Sequence, residues 1–158
     1  MVILADIREP SVAAPIHALQ RAAYAVEAQR IGCTDFPPLR ETLDALQHST
    51  DCFLAFVEGG SVVGCLSYEQ VGTCVTVNRL VVSPLHFRRG IASALLCALD
   101  TRLPVDSVVC AWTADLNESA IKAYEKQGYR RGASQISQEG IALRQLHKQV
   151  GRKCEKMQ

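Results

Sequence analysis

The stretch that decides the fold is Leu80-Val81-Val82-Ser83-Pro84-Leu85-His86-Phe87-Arg88-Arg89-Gly90-Ile91-Ala92. An apolar strand precedes its turn, and an amphipathic helix is predicted from about residue 89 to residue 102. The first turn of a helix leaves backbone N–H groups unpaired and carries about half a positive charge, so it can hold a phosphate. Gly90 and Ala92 let an anion approach those amides. The stretch predicts either an anion-binding loop or an ordinary solvated turn.

The flanking sequence alternates between strands and helices. Upstream, the patterns predict a strand ending at Pro10, helices over 11–29 and from Pro37 to about His48, a hairpin of 52–58 with 62–69, and a strand over 73–82. Downstream, they predict a strand over 105–112, a helix over 117–127 that stops at Gly128, and a polar hairpin beginning at Tyr129. This order indicates one α/β domain over residues 1–150 and a charged tail over 151–158.

A second informative segment runs from Asn117 to Tyr129. Asn117 and Tyr124 are seven residues apart, or two helical turns, so both project from one face about 10 Å apart along the axis. An extended ligand could touch both side chains. Alternatively, Asn117 only caps the helix and Tyr124 is a half-buried core ring.

The two segments together resemble the GNAT superfamily of N-acetyltransferases. Leu80-Val81-Val82-Ser83-Pro84 leading into Arg89-Gly90-Ile91-Ala92 is similar to that family's coenzyme-binding motif A. Asn117-x-x-Ala120-x-x-x-Tyr124-x-x-x-Gly128-Tyr129 is similar to its motif B. The resemblance implies a mixed, mostly antiparallel central sheet with helices on both faces. It also implies transfer of an acetyl group from acetyl-CoA to a primary amine by direct attack on the thioester.

The resemblance further implies how the coenzyme is held. The backbone along Leu80, Val81 and Val82 would pair with the pantetheine arm, and Asn117 would hydrogen-bond that arm further along. The pyrophosphate would be cradled by the backbone amides of Phe87, Arg88, Arg89, Gly90, Ile91 and Ala92. The Tyr124 hydroxyl would protonate the departing thiolate as general acid. Members of the family usually carry Gln or Arg three residues before the motif glycine, where this chain has Phe87.

The general base is not obvious from the sequence. Glu69, at the end of a hairpin strand, is the candidate, because sheet residues near the coenzyme cleft could face the substrate; alternatively it is a solvated strand-end carboxylate. The resemblance implies that acceptor contacts come largely from the first two helices. The acceptor-binding hypotheses are therefore Tyr24, Glu27, Phe36 and Arg40. Glu27 could pair with a cationic substrate or lie on a solvated helix face.

Composition excludes several other classes. The chain has 17 Lys and Arg against 16 Asp and Glu, a net charge of +1, so no overall field attracts nucleic acid or an anionic membrane. No apolar run approaches about 18 residues and no basic n-region precedes the first strand, which predicts a cytoplasmic protein without a membrane span. The P-loop and dinucleotide glycine motifs are both absent.

Seven cysteines are scattered through apolar runs without metal-ligand spacing. We expect reduced core residues and no metal site. The remaining alternatives are a catalytically silent acyl-CoA sensor and a purely structural interaction domain. The polar closing hairpin offers a surface for a homodimer. Neither the acceptor amine nor the oligomeric state follows from the sequence.

Overall fold

The computed structural model describes residues 1–151, so residues 152–158 of the predicted charged tail, including Cys154, lie outside the described part. Its seven strands form one sheet in the order β1-β2-β3-β4-β5-β7-β6. The strands are β1 Val2–Ala5, β2 Cys52–Glu58, β3 Ser61–Val71, β4 Cys74–Val82, β5 Val108–Ala114, β6 Arg130–Ile136 and β7 Ala142–Gln149. The helices are α1 Pro10–Ile31, α2 Leu43–Gln47, α3 Ile91–Arg102 and α4 Glu118–Lys126, with short 3-10 turns at Pro37–Arg40 and Pro84–His86.

The sheet has one parallel pair among its described strands, β4 with β5, and the other neighbours are antiparallel. The parallel pairing stops at Val77 with Ala111 although both strands continue. The register against β3 shifts at the same point, so Asn78 is an extra residue on β4. A bulge of this kind bends its strand and increases the local twist. The sheet therefore opens between the ends of β4 and β5.

Helices cover both faces of the sheet, which confirms the predicted architecture. Adjacent residues on a strand point to opposite faces, and Phe53 and Leu54 on β2 accordingly belong to separate apolar clusters. Phe53 packs with Ile16 of α1 and its neighbours, while Leu54 packs with the cluster that includes Leu95 of α3. The sheet therefore lies between two buried apolar clusters, one on each face.

The predicted helix from Pro37 to His48 is wrong, because the segment is broken in two. Glu41 has an extended backbone, with ψ of 122°, between the 3-10 turn and α2. Its side chain pairs with Arg79 of β4 at 2.5 Å. The spacing of apolar residues within the segment could not predict this long-range contact. Thr42 then starts α2 by accepting a 3.1 Å hydrogen bond from the Ala45 amide.

The cysteine prediction is also partly wrong. The six cysteines among residues 1–151 are free, but only Cys65 is buried. Cys52 and Cys74 are exposed at the first positions of their strands, and Cys97 is exposed on α3. Position at a strand end or on an outer helix face outweighs the usual preference of cysteine for the interior.

Gly64 on β3 sets how closely α3 approaches the sheet. A Cβ built there would lie 2.6 Å from Ile91 Cγ2 and 3.2 Å from Leu95 Cδ1. Ile91 is buried and β-branched, so its side chain cannot swing aside easily. We expect Gly64→Ala to lower the free energy of unfolding by about 1–3 kcal/mol in urea titrations.

The matched control is Gly151→Ala, because a Cβ at Gly151 meets no atom of residues 1–151 within 4 Å. That variant should unfold at nearly the wild-type urea concentration. Equal stability of the two variants would contradict the close packing of α3 on β3.

Candidate active site

A long cleft of about 870 Å³ lies beside the end of β4, beyond its last pairing with β5. It lies among the end of β4, the start of α3, the outer face of α4 and the last turns of α1. Eight of the predicted coenzyme-binding residues line it: Leu80, Val81, Val82, Phe87, Arg88, Gly90, Ile91 and Ala92, and Asn117 is a ninth. Two others do not line it: Arg89, whose guanidinium lies 3.8 Å from Glu58, and Tyr124, which lines a neighbouring pocket.

The loop at the start of α3 leaves backbone donors exposed to this cleft. Arg88 and Gly90 both adopt left-handed conformations, with φ of 64° and 74°, and Gly90 is the N-cap of α3. No side-chain hydrogen bond caps this helix among residues 1–151. The first-turn amides therefore remain available to an anion, and the helix dipole favours one there.

A smaller pocket of about 250 Å³ adjoins the cleft. Tyr24, Glu27 and Phe36, three of the four predicted acceptor-binding residues, line it together with Trp112 and Tyr124. The rings of Tyr24 and Phe36 meet edge to face, with centroids 6.0 Å apart. The pocket therefore has aromatic walls and two carboxylates, the half-buried Glu27 and Glu139.

Arg40, the fourth predicted acceptor-binding residue, does not line the pocket. Its guanidinium lies 3.4 Å from Asp35 and 3.5 Å from Glu139. Glu139 does line the pocket, so Arg40 reaches the site only through this carboxylate.

Glu27 lies where the cleft and the pocket meet. Four residues line both cavities, namely Glu27, Leu80, Asn117 and Ala120, and Glu27 is the ionisable one among them. Burial raises the pKa of the Glu27 carboxyl, and a hydrogen bond from the Asn117 side chain partly opposes that rise. Asn117 also caps α4 through a 3.4 Å hydrogen bond that its side-chain oxygen accepts from the Ala120 amide.

Tyr124 is held rigidly beside this junction. Its side chain is buried, and its ring meets that of Tyr129 edge to face at a centroid distance of 5.1 Å. Burial raises the pKa of the Tyr124 phenol strongly, and the neighbouring Tyr129, Tyr24 and Glu27 add to the rise. The hydroxyl therefore stays protonated at neutral pH and can act as a hydrogen donor.

Glu69 is placed outside both cavities. It is exposed near the end of β3 and accepts a 3.4 Å hydrogen bond from Asn78, the bulge residue that lines the smaller pocket. The structure thus brings Glu27, rather than Glu69, to the meeting point of the cavities. A catalytic role for Glu69 stays a prediction.

A polar network that the sequence did not predict adjoins the smaller pocket through Arg79. Arg79, which lines the pocket, pairs with Glu41 at 2.5 Å and with Asp51 at 3.4 Å. The Gln20 amide donates to Glu41 at 2.7 Å, and Ser67 donates to Asp51 at 2.9 Å. One signal could have found it: Arg79 interrupts the alternating apolar positions of β4 and so predicts a buried partner.

A family model matches residues 16–129, well over half of the chain, and its description is Acetyltransferase (GNAT) family. The chain belongs to the GNAT acetyltransferase family. The match assigns an acetyltransferase-family domain to residues 16–129. The match spans both motifs that carry the resemblance in the sequence.

The chain is also similar to a Bacillus subtilis protein in sequence and to two solved structures in fold. UPF0157 protein YqkA of Bacillus subtilis is 31% identical over 156 residues, or 98% of this chain, but the chain spans only 45% of that protein's length. Ribosomal-protein-S18-alanine N-acetyltransferase of Escherichia coli superposes over 100% of this chain and 99% of its own, with a TM-score of 0.73 and 16% identity. An aminoglycoside 6'-N-acetyltransferase complexed with coenzyme A covers 95% of this chain and 97% of its own, with a TM-score of 0.71 and 15% identity. At these identities the two solved structures show a shared GNAT fold.

The structure also bears on membrane and metal binding. Within residues 1–151, no helix combines the length and apolar character needed to cross a bilayer. In the same range, no three His, Cys, Asp or Glu side chains are grouped closely enough to hold a metal ion.

The α3 loop of this GNAT protein can be tested at Gly90. A Cβ there meets nothing within 4 Å, and Asn and Asp tolerate a left-handed backbone better than other side chains. Gly90→Asp adds a negative charge where the motif predicts the coenzyme pyrophosphate, whereas Gly90→Asn is a neutral control of the same shape. By calorimetry, we expect the Asp variant to bind coenzyme A at least about tenfold more weakly than the Asn variant. Equal affinities would remove the loop from the anion site.

Proposed function

We propose that the protein is an acetyl-CoA-dependent N-acetyltransferase that moves an acetyl group to a primary amine by direct attack on the thioester. The observation that carries the proposal is the meeting of two cavities. A long cleft beside an uncapped helix N-terminus suits an anionic coenzyme, and a small pocket with a carboxylate and a buried tyrosine suits an amine. We assign this activity to a single domain over residues 1–150.

In this proposal the cleft holds acetyl-CoA in an extended form. The amides at the start of α3 bind the pyrophosphate, because they have no other partner in the helix. The edge of β4 over Leu80, Val81 and Val82, beyond its last pairing with β5, hydrogen-bonds the pantetheine arm. Asn117 contacts the arm near its thioester end, where the cleft meets the acceptor pocket.

The acceptor pocket binds the ammonium form of the amine and prepares it for attack. Glu27 attracts the positive charge, and the aromatic rings of Tyr24, Phe36 and Trp112 pack against the carbon skeleton. Glu27 then accepts one proton, which leaves a neutral nitrogen with a free lone pair. We favour Glu27 over Glu69 as the base because it lies at the junction of the two cavities.

The transfer itself forms a C–N bond and breaks a C–S bond. The amine nitrogen attacks the carbonyl carbon, and a backbone N–H of β4 stabilises the resulting oxyanion. The intermediate collapses by expelling the thiolate, which takes a proton from the Tyr124 hydroxyl. The nitrogen loses its second proton to water as the amide forms. The phenolate regains a proton from solvent, and Glu27 releases its own proton to solvent, which restores both groups. The products are an N-acetylated amine and free coenzyme A.

Two solved structures of the same fold support an amine acceptor, because they are a ribosomal-protein-S18-alanine N-acetyltransferase and an aminoglycoside 6'-N-acetyltransferase. The acceptor of this chain is left at the level of a primary amine. A cytoplasmic location and a homodimer stay predictions from the sequence.

The proposal is tested by incubating the purified protein with acetyl-CoA and pooled primary amines and reading the products by mass spectrometry. We expect an acetylated amine from the wild type. Tyr124→Phe removes the proton donor but keeps the ring, so its turnover should fall about 10²- to 10⁴-fold with little change in acetyl-CoA affinity. Unchanged turnover would reject the acid role, whereas acetyl-CoA binding without any product would favour the sensor.

The base is tested by comparing Glu27→Gln with Glu69→Gln across pH. A carboxylate base must be ionised, so kcat/KM should fall as pH drops through a pKa that burial has raised above the usual glutamate value of about 4.3. We expect Glu27→Gln to lose activity and to lose this fall of kcat/KM at low pH. Glu69→Gln should keep both the activity and the fall. The reverse pattern would assign the base to Glu69 instead.

A further inference from the structure

Phe87 stands where the resemblance leads one to expect Gln or Arg, so the loop before α3 lacks a polar side chain at that position. The structure places a cation beside it from another element. The guanidinium carbon of Arg30, in the last turn of α1, lies 5.0 Å from the centroid of the Phe87 ring. This distance is within the range of a cation–π contact.

Arg30 points its charge into the coenzyme cleft. It lines that cleft together with Phe87, Arg88 and Gly90, although it belongs to a helix that the sequence analysis assigned to the acceptor. Its Nη1 donates to the Ser119 hydroxyl of α4 at 3.4 Å, a long bond to a neutral partner. Arg30 thus spans the cleft between the end of α1 and the start of α4.

The charge of Arg30 is not neutralised by a carboxylate. Within residues 1–151, its guanidinium makes no ion pair, whereas Arg89 of the motif lies 3.8 Å from Glu58. The Arg89 guanidinium is therefore directed to an acid outside the cleft. The arginine from α1 remains free to meet an anion.

We propose that Arg30 binds the pyrophosphate of the coenzyme and supplies, from α1, the polar contact that the loop lacks at Phe87. The inference rests on the proposed function. A guanidinium stacked on a ring keeps its N–H groups directed outward in its own plane, where they can meet two phosphate oxygens. A charge-assisted bond of this kind is stronger than the long hydrogen bond to Ser119 that it replaces.

A purely structural role for Arg30 predicts a different outcome. Arginine in the last turn of a helix also favours the helix dipole, and its stem can cover apolar surface. Loss of those effects would lower the stability of the fold and would change the affinities for all ligands to the same extent. Ligands that differ only in their phosphates therefore separate the two roles.

The test measures the affinities of wild type and Arg30→Gln for coenzyme A, 3'-dephospho-coenzyme A and pantetheine by calorimetry. Arg21→Gln is the matched control, because it removes the same charge from an exposed position of α1 that lines neither cavity. We expect Arg30→Gln to weaken the binding of coenzyme A and of dephospho-coenzyme A by the same factor, about ten- to hundredfold. The affinity for pantetheine should not change. Arg21→Gln should stay within about twofold of wild type for all three.

Each departure from this pattern has a definite meaning. Wild-type affinity of Arg30→Gln for coenzyme A would overturn the inference while leaving the proposed function intact. If Arg30→Gln bound coenzyme A more weakly than wild type but bound dephospho-coenzyme A equally well, Arg30 would be assigned to the 3'-phosphate instead. An equal loss of affinity for pantetheine would show a structural role. Failure of the wild type to bind coenzyme A would overturn the proposed function as well.

A rescue experiment tests the stated relation between the two positions. The double variant Arg30→Gln with Phe87→Arg places the cation on the loop itself. We expect it to regain most of the coenzyme A affinity that Arg30→Gln loses, and to do so without improving pantetheine binding. No recovery, in a variant that melts at the wild-type temperature, would contradict the equivalence of the two sites.

Discussion

The two cavities depend on the point where β4 stops pairing with β5. Parallel strands normally continue side by side, but here the bulge at Asn78 redirects β4 directly after Val77. Because β3 still pairs with β4 beyond that point, only one side of the strand loses its partner. The same separation that exposes backbone donors and acceptors also creates the two cavities. Without it, the motif residues would lie on a closed sheet with no room for a ligand.

The packing of α3 fixes the other wall of that opening. Gly64 pairs with Val82 across β3 and β4, and the absence of a side chain on Gly64 lets Ile91 come close to the sheet. The first turn of α3 therefore lies beside the last residues of β4. Stability and site geometry are linked at this contact, because Ile91, which needs the space, is also the first residue of α3 and lines the cleft.

The sequence predicted those parts of the site that depend on local chemistry. A strand, a glycine-containing turn and a helix N-terminus are contiguous, so this strand–turn–helix unit could be predicted from residues 80–92 alone. Asn117 and Tyr124 share one helix, so their common face followed from helical geometry. Both segments line the observed cavities.

The parts that the sequence could not predict depend on contacts between distant residues. Glu41 breaks the expected second helix because it pairs with Arg79, and no spacing within either segment reports that contact. Arg30 and Phe87 meet only after α1 has packed across the sheet. The same holds for Glu27, since whether a helical glutamate faces solvent or a cleft is decided by what packs against that helix.

Although the net charge is only +1, the charged side chains are distributed unevenly between the two cavities, in a way that suits one anionic and one cationic ligand. The long cleft has an excess of cations, because Arg30, Arg88, Lys122 and Lys126 line it against two acids, Glu27 and Glu118. Glu27 and Glu139 line the small pocket, where Arg79 is already paired with two acids. A near-neutral chain does not attract polyanions from a distance, yet each cavity can favour one sign at short range, where screening is weak. Glu27 belongs to both cavities and so lies where an anionic coenzyme and a cationic amine would meet. Local segregation of charge, rather than the total, is what the proposed chemistry requires.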